Sequence, residues 1–360
     1  MMAAWVKGGA TDADAAIEAA AHLFASAKVP VVTGLCADVG ALRAAYGLAG
    51  VIGASLDPVA APSLYAELGV LSRTGAMGTT PAEAVGRADL VVVVGNAPWD
   101  RPFLQDIAAA KPRRGRAAGS ERTILSLGGP SNGQIRHVAY PVEPGGLAVS
   151  IAQLRAFAKG HLAGETAYAD LARRLVAAHY GVVVYEPGEV GELGVEMLQG
   201  LVKDLNDVTR FFALPLADPF QGRALIQVAA WTTGQAPSTG FGRHVPEHDP
   251  WRFDGARQVR EGEADAALWL SSLPSPRPDW LASLPSVAIV GEGSANATGD
   301  TAEIVIAVGV PGESTGGTLW NERRGTLTHS SAAGQPAALT AGAVLDAIRA
   351  RITAKDSAAC

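Results

Sequence analysis

The sequence predicts an α/β fold of two doubly wound, Rossmann-like lobes with mainly parallel sheets, and three observations carry that expectation. Apolar runs of strand length alternate with helical patterns, as they do when crossover helices join the strands of a parallel sheet. One stretch of this pattern occurs twice, in the same order and with the same residues at its edges. The chain has 360 residues, about two domains' worth at roughly 150 residues each.

Taken in chain order, Thr11, Asp12 or Asp14 can cap a helix whose Ala16, Ile17, Ala20, Leu23 and Phe24 share one face. Residues 29–35 (VPVVTGL) read as a fully buried strand. A second helix starts at Asp38, and 50–53 leads into a short strand. The segment 181–188 (GVVVYEPG) reads as the strand that opens the second half, ahead of a helix over 190–206 with Leu193, Met197, Leu201 and Leu205 on one stripe. Residues 111–121 (KPRRGRAAGSE) form a basic, Gly-containing surface loop, and the chain beyond Ile352 reads as a frayed tail.

The repeat pairs residues 82–146 with residues 256–312. In the first copy a helix precedes ADLVVVVGNAP (88–98), then TILSLGG (123–129), then a third segment ending in Pro-Gly-Gly at 144–146. In the second, a helix precedes ADAALWLSSLP (264–274), then SVAIVGEG (286–293), then TAEIVIAVGVPG (301–312). Ala-Asp before a buried strand is common alone; three such matches in one order indicate two related halves.

Composition narrows the function classes. Hydrophobic residues make up 48% and charged residues 18%, which excludes a disordered chain. Lys and Arg number 29 against 35 Asp and Glu, and the net charge of −6 argues against an electrostatic nucleic-acid binder while leaving room for a local basic patch. Cys36 and Cys360 alone supply no disulfide framework, four-cysteine zinc site or cysteine-ligated cluster. No secretory leader and no run near the ~20 residues of a membrane helix is visible, so a soluble, cytoplasmic chain is expected.

Chemistry-bearing motifs are sparse. Glycines follow strands at Gly34, Gly95, Gly128, Gly129, Gly188, Gly291 and Gly293, yet no GxGxxG or GxxxxGK[ST] and no GxSxG elbow is present. His244 and His248 flank Pro246, which breaks the helical geometry a paired metal ligand needs, so they read as solvated loop residues. Trp231, Trp251, Trp269 and Trp320 read as core or interface anchors. Trp320, Arg323 and Arg324 follow Gly316-Gly317 and mark an interface or a vestigial cleft, since paired arginines can grip phosphate or carboxylate. Residue chemistry alone assigns no catalytic, cofactor-binding or metal-binding residue.

Several stretches carry a resemblance. GTTPAEAVGRADLVVVVGNAPWDRP (78–102), DLNDVTRFFALPL (204–216), AAWTTGQAP (229–237), GEADAALWLSSLP (262–274) and GTLWNERRGTL (317–327) are similar to segments of the molybdopterin oxidoreductase family, specifically the B subunit of formylmethanofuran dehydrogenase. The DLNDVT stretch is the most specific of them. The repeat and the resemblance together imply two interleaved lobes, here residues 1–36 with 166–350 and residues 37–165; residues 351–360 are read separately, from the sequence, as a flexible tail. The resemblance also implies what is missing. The family's cysteine-rich cluster domain has no counterpart ahead of the α/β region. Val59, in LDPVAAPSLYAEL (56–68), stands where the metal-ligating Cys would be, and Leu216, Ala217, Asp218 and Pro219 stand in place of an active-site Met-Arg-Gly-His.

Loss of all three features looks like the B subunits of the formyltransferase/hydrolase complexes of methylotrophic bacteria. That resemblance implies a non-catalytic, cofactor-free structural subunit beside an amidohydrolase-like A subunit, a C subunit and a formyltransferase D subunit, with neither nucleic acid nor membrane as partner. Such a complex moves a formyl group from formyl-tetrahydromethanopterin to a methanofuran-like carrier and hydrolyses it to formate. Two other readings stay open: an active molybdenum or tungsten pterin oxidoreductase using Asp57 as metal ligand, and a nucleotide-binding enzyme using one α/β half.

Overall fold

Capping chemistry starts the first two helices. The Asp12 carboxylate accepts the Ala15 amide at 2.7 Å and opens the helix Ala13–Ser26, while Asp38 accepts the Gly40 amide at 2.9 Å and opens Val39–Ile52. Between them the strand Pro30–Cys36 is buried at every residue, as a strand covered by helices on both faces must be. The computed structural model describes residues 4–130, 134–295, 302–334 and 339–359. They fall into two units, residues 1–61 with 219–320 and 327–360, and residues 62–218 with 321–326.

The first unit holds a nine-stranded sheet in the order Glu247–His248, Thr239–Gly240, Ser55–Pro58, Pro30–Cys36, Ala266–Ser271, Ser286–Gly291, Ile304–Val308, Ala4–Val6, Gly9–Thr11. Its five middle strands run parallel and the outer pairs antiparallel. The helix Ala341–Ala359 lies against Val39–Ile52 and Ala13–Ser26, burying Ala341, Val344, Leu345, Ile348 and Ile352. Arg351 pairs with Asp14 and with Glu18 on Ala13–Ser26. The helix therefore covers 351–359, where a flexible tail was expected; burial and these ion pairs hold its side chains as far as the described ones reach.

The second unit holds a five-stranded, wholly parallel sheet in the order Val138–Tyr140, Thr123–Leu127, Leu90–Val94, Gly181–Tyr185, Phe211–Pro215. Alternation along Leu90–Val94 divides its side chains between two cores. Leu90, Val92 and Val94 face the helices Gly146–Ala158, Ala167–Ala177 and Pro187–Leu205, whereas Val91 and Val93 join Phe103, Leu104 and Ile107. Arg122 ties the second face together. Its guanidinium donates to the carbonyls of Val85 and Ala88 at 2.5 and 2.8 Å and to that of Ile107, so one cation meets the orphan carbonyls of two helix ends. Burial lowers its pKa to about 10.

The internal repeat is visible in the strand order. Thr123–Leu127 and Val138–Tyr140 follow Leu90–Val94 outward on one side, as Ser286–Gly291 and Ile304–Val308 follow Ala266–Ser271. The other side is Gly181–Tyr185 and Phe211–Pro215 in one sheet, and Pro30–Cys36 and Ser55–Pro58 in the other. Two of the five equivalent strands of the first unit thus come from the N-terminal segment, which is how the halves interleave.

This assignment corrects three expectations. Gly181–Tyr185 does not open the second half; it pairs in parallel with Leu90–Val94. The units divide at 61/62 and 218/219 rather than at 36/37 and 165/166, because Ser55–Pro58 pairs with Pro30–Cys36 and Phe211–Pro215 with Gly181–Tyr185. Leu193 is 63% exposed, outside the stripe proposed for it. At 3.6 residues per turn an i, i+4 row drifts about 40° per step, so Leu193 stands about 120° from Leu205, and the buried face runs through Gly194, Leu198, Leu201 and Leu205 instead. Gly191, with φ 73° and ψ 164°, breaks the helix Pro187–Leu205 after its first turn, ahead of all four stripe residues. No helix among the described residues is long and apolar enough to cross a membrane.

Candidate functional site

In doubly wound sheets, ligands bind at the carboxyl ends of the strands, where the chain switches its direction of travel across the sheet. The second unit has that point between Leu90–Val94 and Gly181–Tyr185, and the chain leaves these strands through residues 95–98 and through 186–189, the cap and first turn of the helix Pro187–Leu205. Gly95 turns with φ +82°, which aims the next two amides outward. Both are used by the chain itself. The Asn96 and Ala97 amides donate to the Glu189 carboxylate at 2.6 and 2.9 Å. A Cβ on Gly95 would fall 2.3 Å from a Glu189 oxygen, so the glycine admits the carboxylate. Glu186 caps the helix by accepting the Glu189 amide at 2.8 Å, and the Ser63 hydroxyl donates to Glu186 at 2.5 Å. The seat that fits a phosphate by its donors therefore holds an anionic side chain.

The first unit has its switch point between Pro30–Cys36 and Ala266–Ser271. Gly34 and Leu35 both take positive φ, +82° and +57°, and a Cβ on Gly34 would meet the Leu270 carbonyl at 2.6 Å. The Leu273 amide donates to the Cys36 carbonyl at 3.1 Å and the buried Cys36 thiol to the Pro274 carbonyl at 3.7 Å, so the two loops are stitched to each other. The Ser271 hydroxyl folds onto the Leu273 carbonyl at 2.7 Å. Among the described residues the Ser272 hydroxyl has no partner.

Asp57 lies on Ser55–Pro58, one strand further out. Its carboxylate accepts the Gly255 amide at 3.1 Å, and the Thr33 hydroxyl donates to its carbonyl at 2.9 Å. Burial pushes the carboxyl up to about 7, against the lowering by the Gly255 bond and with a further push from Asp254. Among the described residues no three His, Cys, Asp or Glu side chains converge on a metal position. Val59 offers no ligand side chain and its amide donates to the Gly34 carbonyl at 3.1 Å. A metal with phosphate-bearing pterins does not fit the described residues, because Glu189 fills the phosphate seat of the second unit and Asp57 has no companion ligand among them.

The other singled-out residues are dispersed. The Trp320 amide donates to the Gln221 side chain at 2.8 Å within the first unit. In the second unit Arg323 forms an ion pair with Asp106 at 2.6 Å, Arg101 pairs with Glu322 at 2.8 Å and also donates to the Ala217 carbonyl, and Arg324 is exposed. Leu216, Ala217 and Asp218 are buried. His248 bonds the Ser238 carbonyl at 2.8 Å. Trp269 is core, whereas Trp231 and Trp251 are 62% and 71% exposed. Sequence reading missed Glu189 and Arg101; a Glu in the first turn after strand, Pro and Gly was the available signal for the former.

No protein-family model matches the chain. Among curated proteins it is 67% identical, over 98% of its length and 99% of the other's, to the B subunit of the formyltransferase/hydrolase complex Fhc of Methylorubrum extorquens. The chain belongs to the family of Fhc B subunits. As a member of that family it is also similar in structure to a chain in the crystal structure of the M. extorquens FhcABCD complex with methylofuran, with TM-score 0.95, 67% identity, and coverage of 99% of this chain and 100% of that one. A more distant similarity joins this chain to the B subunit of the tungsten-containing formylmethanofuran dehydrogenase 2 of Methanocaldococcus jannaschii, 25% identical over 86% of this chain and 76% of that protein. The resemblance read from the sequence is thus borne out at the level of family and fold.

Proposed function

We propose that this chain is the structural B subunit of a formyltransferase/hydrolase complex and performs no chemistry of its own. Its partners would be an amidohydrolase-like A subunit, a C subunit and a formyltransferase D subunit. Together they would pass a formyl group from formyl-tetrahydromethanopterin to a methanofuran-like carrier and release formate. The observation that carries the reading is the Glu189 carboxylate seated on the Asn96 and Ala97 amides at the sheet's switch point. A chain that kept a dinucleotide there would need those donors for phosphate. Trp231 and Trp251 support a role in assembly, since exposed tryptophans rank among the residues that dominate protein interfaces.

The test is elemental analysis by mass spectrometry of the complex purified natively through a tag on this chain. Molybdenum, tungsten and iron are expected to be far below one per chain, with zinc rising only in step with a co-purifying amidohydrolase-like chain. About one molybdenum or tungsten per chain would overturn the proposal and make Asp57 the first residue to replace.

A further inference from the structure

At the opposite end of the second unit's sheet, where the strands begin, lies a pocket of about 390 Å³ lined by Arg87, Arg114, Arg116, His179, Arg210 and Tyr180 among others. Four guanidiniums face one volume in a chain whose net charge is −6. They arrive from separate segments: a helix end, the 111–121 loop and the residue before Phe211–Pro215. Two carboxylates stand near. Glu83 lines the pocket and is engaged by Arg87 at 2.5 Å, while Asp89 accepts the His179 and Tyr180 amides at 2.9 and 2.8 Å. Arg114, Arg116 and Arg210 make no ion pair among the described residues.

The basic loop is held in place. The Arg113 and Arg114 amides donate to the Gly86 carbonyl at 2.8 and 3.0 Å, the Gly119 amide donates to the Pro112 carbonyl at 2.9 Å, and Pro112 and Ala117 are buried. Its arginines thus start from an ordered backbone, which lowers the entropy lost when they close on a ligand. Guanidiniums converging from several sides match the tetrahedral oxygens of phosphate better than one planar carboxylate, which a single fork satisfies.

We infer that this pocket binds a small phosphate-bearing anion, at a place distinct from the closed switch point. The site is absent from the reading of the chain as a scaffold and does not depend on it. The probe is inorganic pyrophosphate, titrated by calorimetry into the assembled complex and into the full chain alone, with tricarballylate as the carboxylate comparator. Saturable one-to-one binding of pyrophosphate to both is expected, stronger than tricarballylate and weakening as salt rises. The double variant Arg114→Ala, Arg116→Ala should bind at least tenfold more weakly at unchanged melting temperature. Arg260→Ala, an exposed arginine paired with Glu261, should bind as the parent does. Absence of binding, equal binding by the double variant, or tighter binding of tricarballylate overturns the inference. So does binding to the isolated chain but not to the complex, which would make the pocket a seat for an acidic partner segment.

Discussion

Glu189 shows how one side chain can fill a pair of outward amides by supplying the negative charge they suit. Its two charge-assisted bonds satisfy amides that would otherwise be bare at the head of a strand-to-loop turn. Glu189→Ala should lower unfolding free energy by about 1–3 kcal/mol, the cost of leaving such donors unmet, and Glu189→Gln by less, since it keeps one acceptor. Urea unfolding checks this; equal losses in the two variants would mean that the amides are not the point. Asp57 makes a second residue-scale prediction, of pH dependence. Its carboxyl titrates near 7 in the folded chain and near 3.8 in the unfolded one. Between those values the folded state holds the extra proton, so stability falls as pH rises from about 4 to 7, by as much as about 4 kcal/mol at 1.36 kcal/mol per unit. Asp57→Asn removes that slope. The variant's advantage over the parent in urea should be larger at pH 8 than at pH 5, and an equal advantage at both would rule the account out.

At the scale of elements, the break at Gly191 separates the turn that carries Glu189 from the rest of Pro187–Leu205. Its φ of 73° with ψ of 164° belongs to a region that only glycine occupies without strain. A Cβ there meets nothing within 4 Å, so any loss in Gly191→Ala comes from backbone strain rather than collision. The expected loss is about 1–3 kcal/mol, read by thermal or urea unfolding, and an unchanged midpoint would show that the turn relaxes freely. The same element marks where sequence reading stops. The strand Pro30–Cys36, the caps Asp12 and Asp38 and the ordered repeat are local patterns of apolarity and capping, and each was legible. The pairing of Gly181–Tyr185 with Leu90–Val94 spans some ninety residues and is set by register, which no local pattern states. Leu193 was misplaced because an i, i+4 row drifts about 40° per step around the helix, which carries it off the buried face that Leu201 and Leu205 share. The Glu189 seat needed a loop and a helix start brought together by that same distant pairing.

At the scale of the whole molecule, the path of the chain makes a prediction about autonomy. The second unit's five-stranded parallel sheet and its two cores lie within residues 62–218, with only 321–326 contributed from elsewhere. The first unit takes Pro30–Cys36 and Ser55–Pro58 from before that stretch and Ala266–Ser271 onward from after it. A fragment 62–218 should therefore fold alone, with dispersed amide resonances and a cooperative melt. A fragment 219–360 should not, because Ala266–Ser271 would lose the parallel partner Pro30–Cys36 and present a long, apolar, unpaired edge. Joining residue 61 to residue 219 through a short flexible linker restores both strands and should restore folding. If 62–218 stays unfolded while 219–360 folds, the strand order does not govern autonomy. The outcome in which the linked chain folds and 219–360 aggregates follows from physics already visible in the sheet. An inserted unit leaves its host intact, whereas cutting the host separates neighbouring strands of one core.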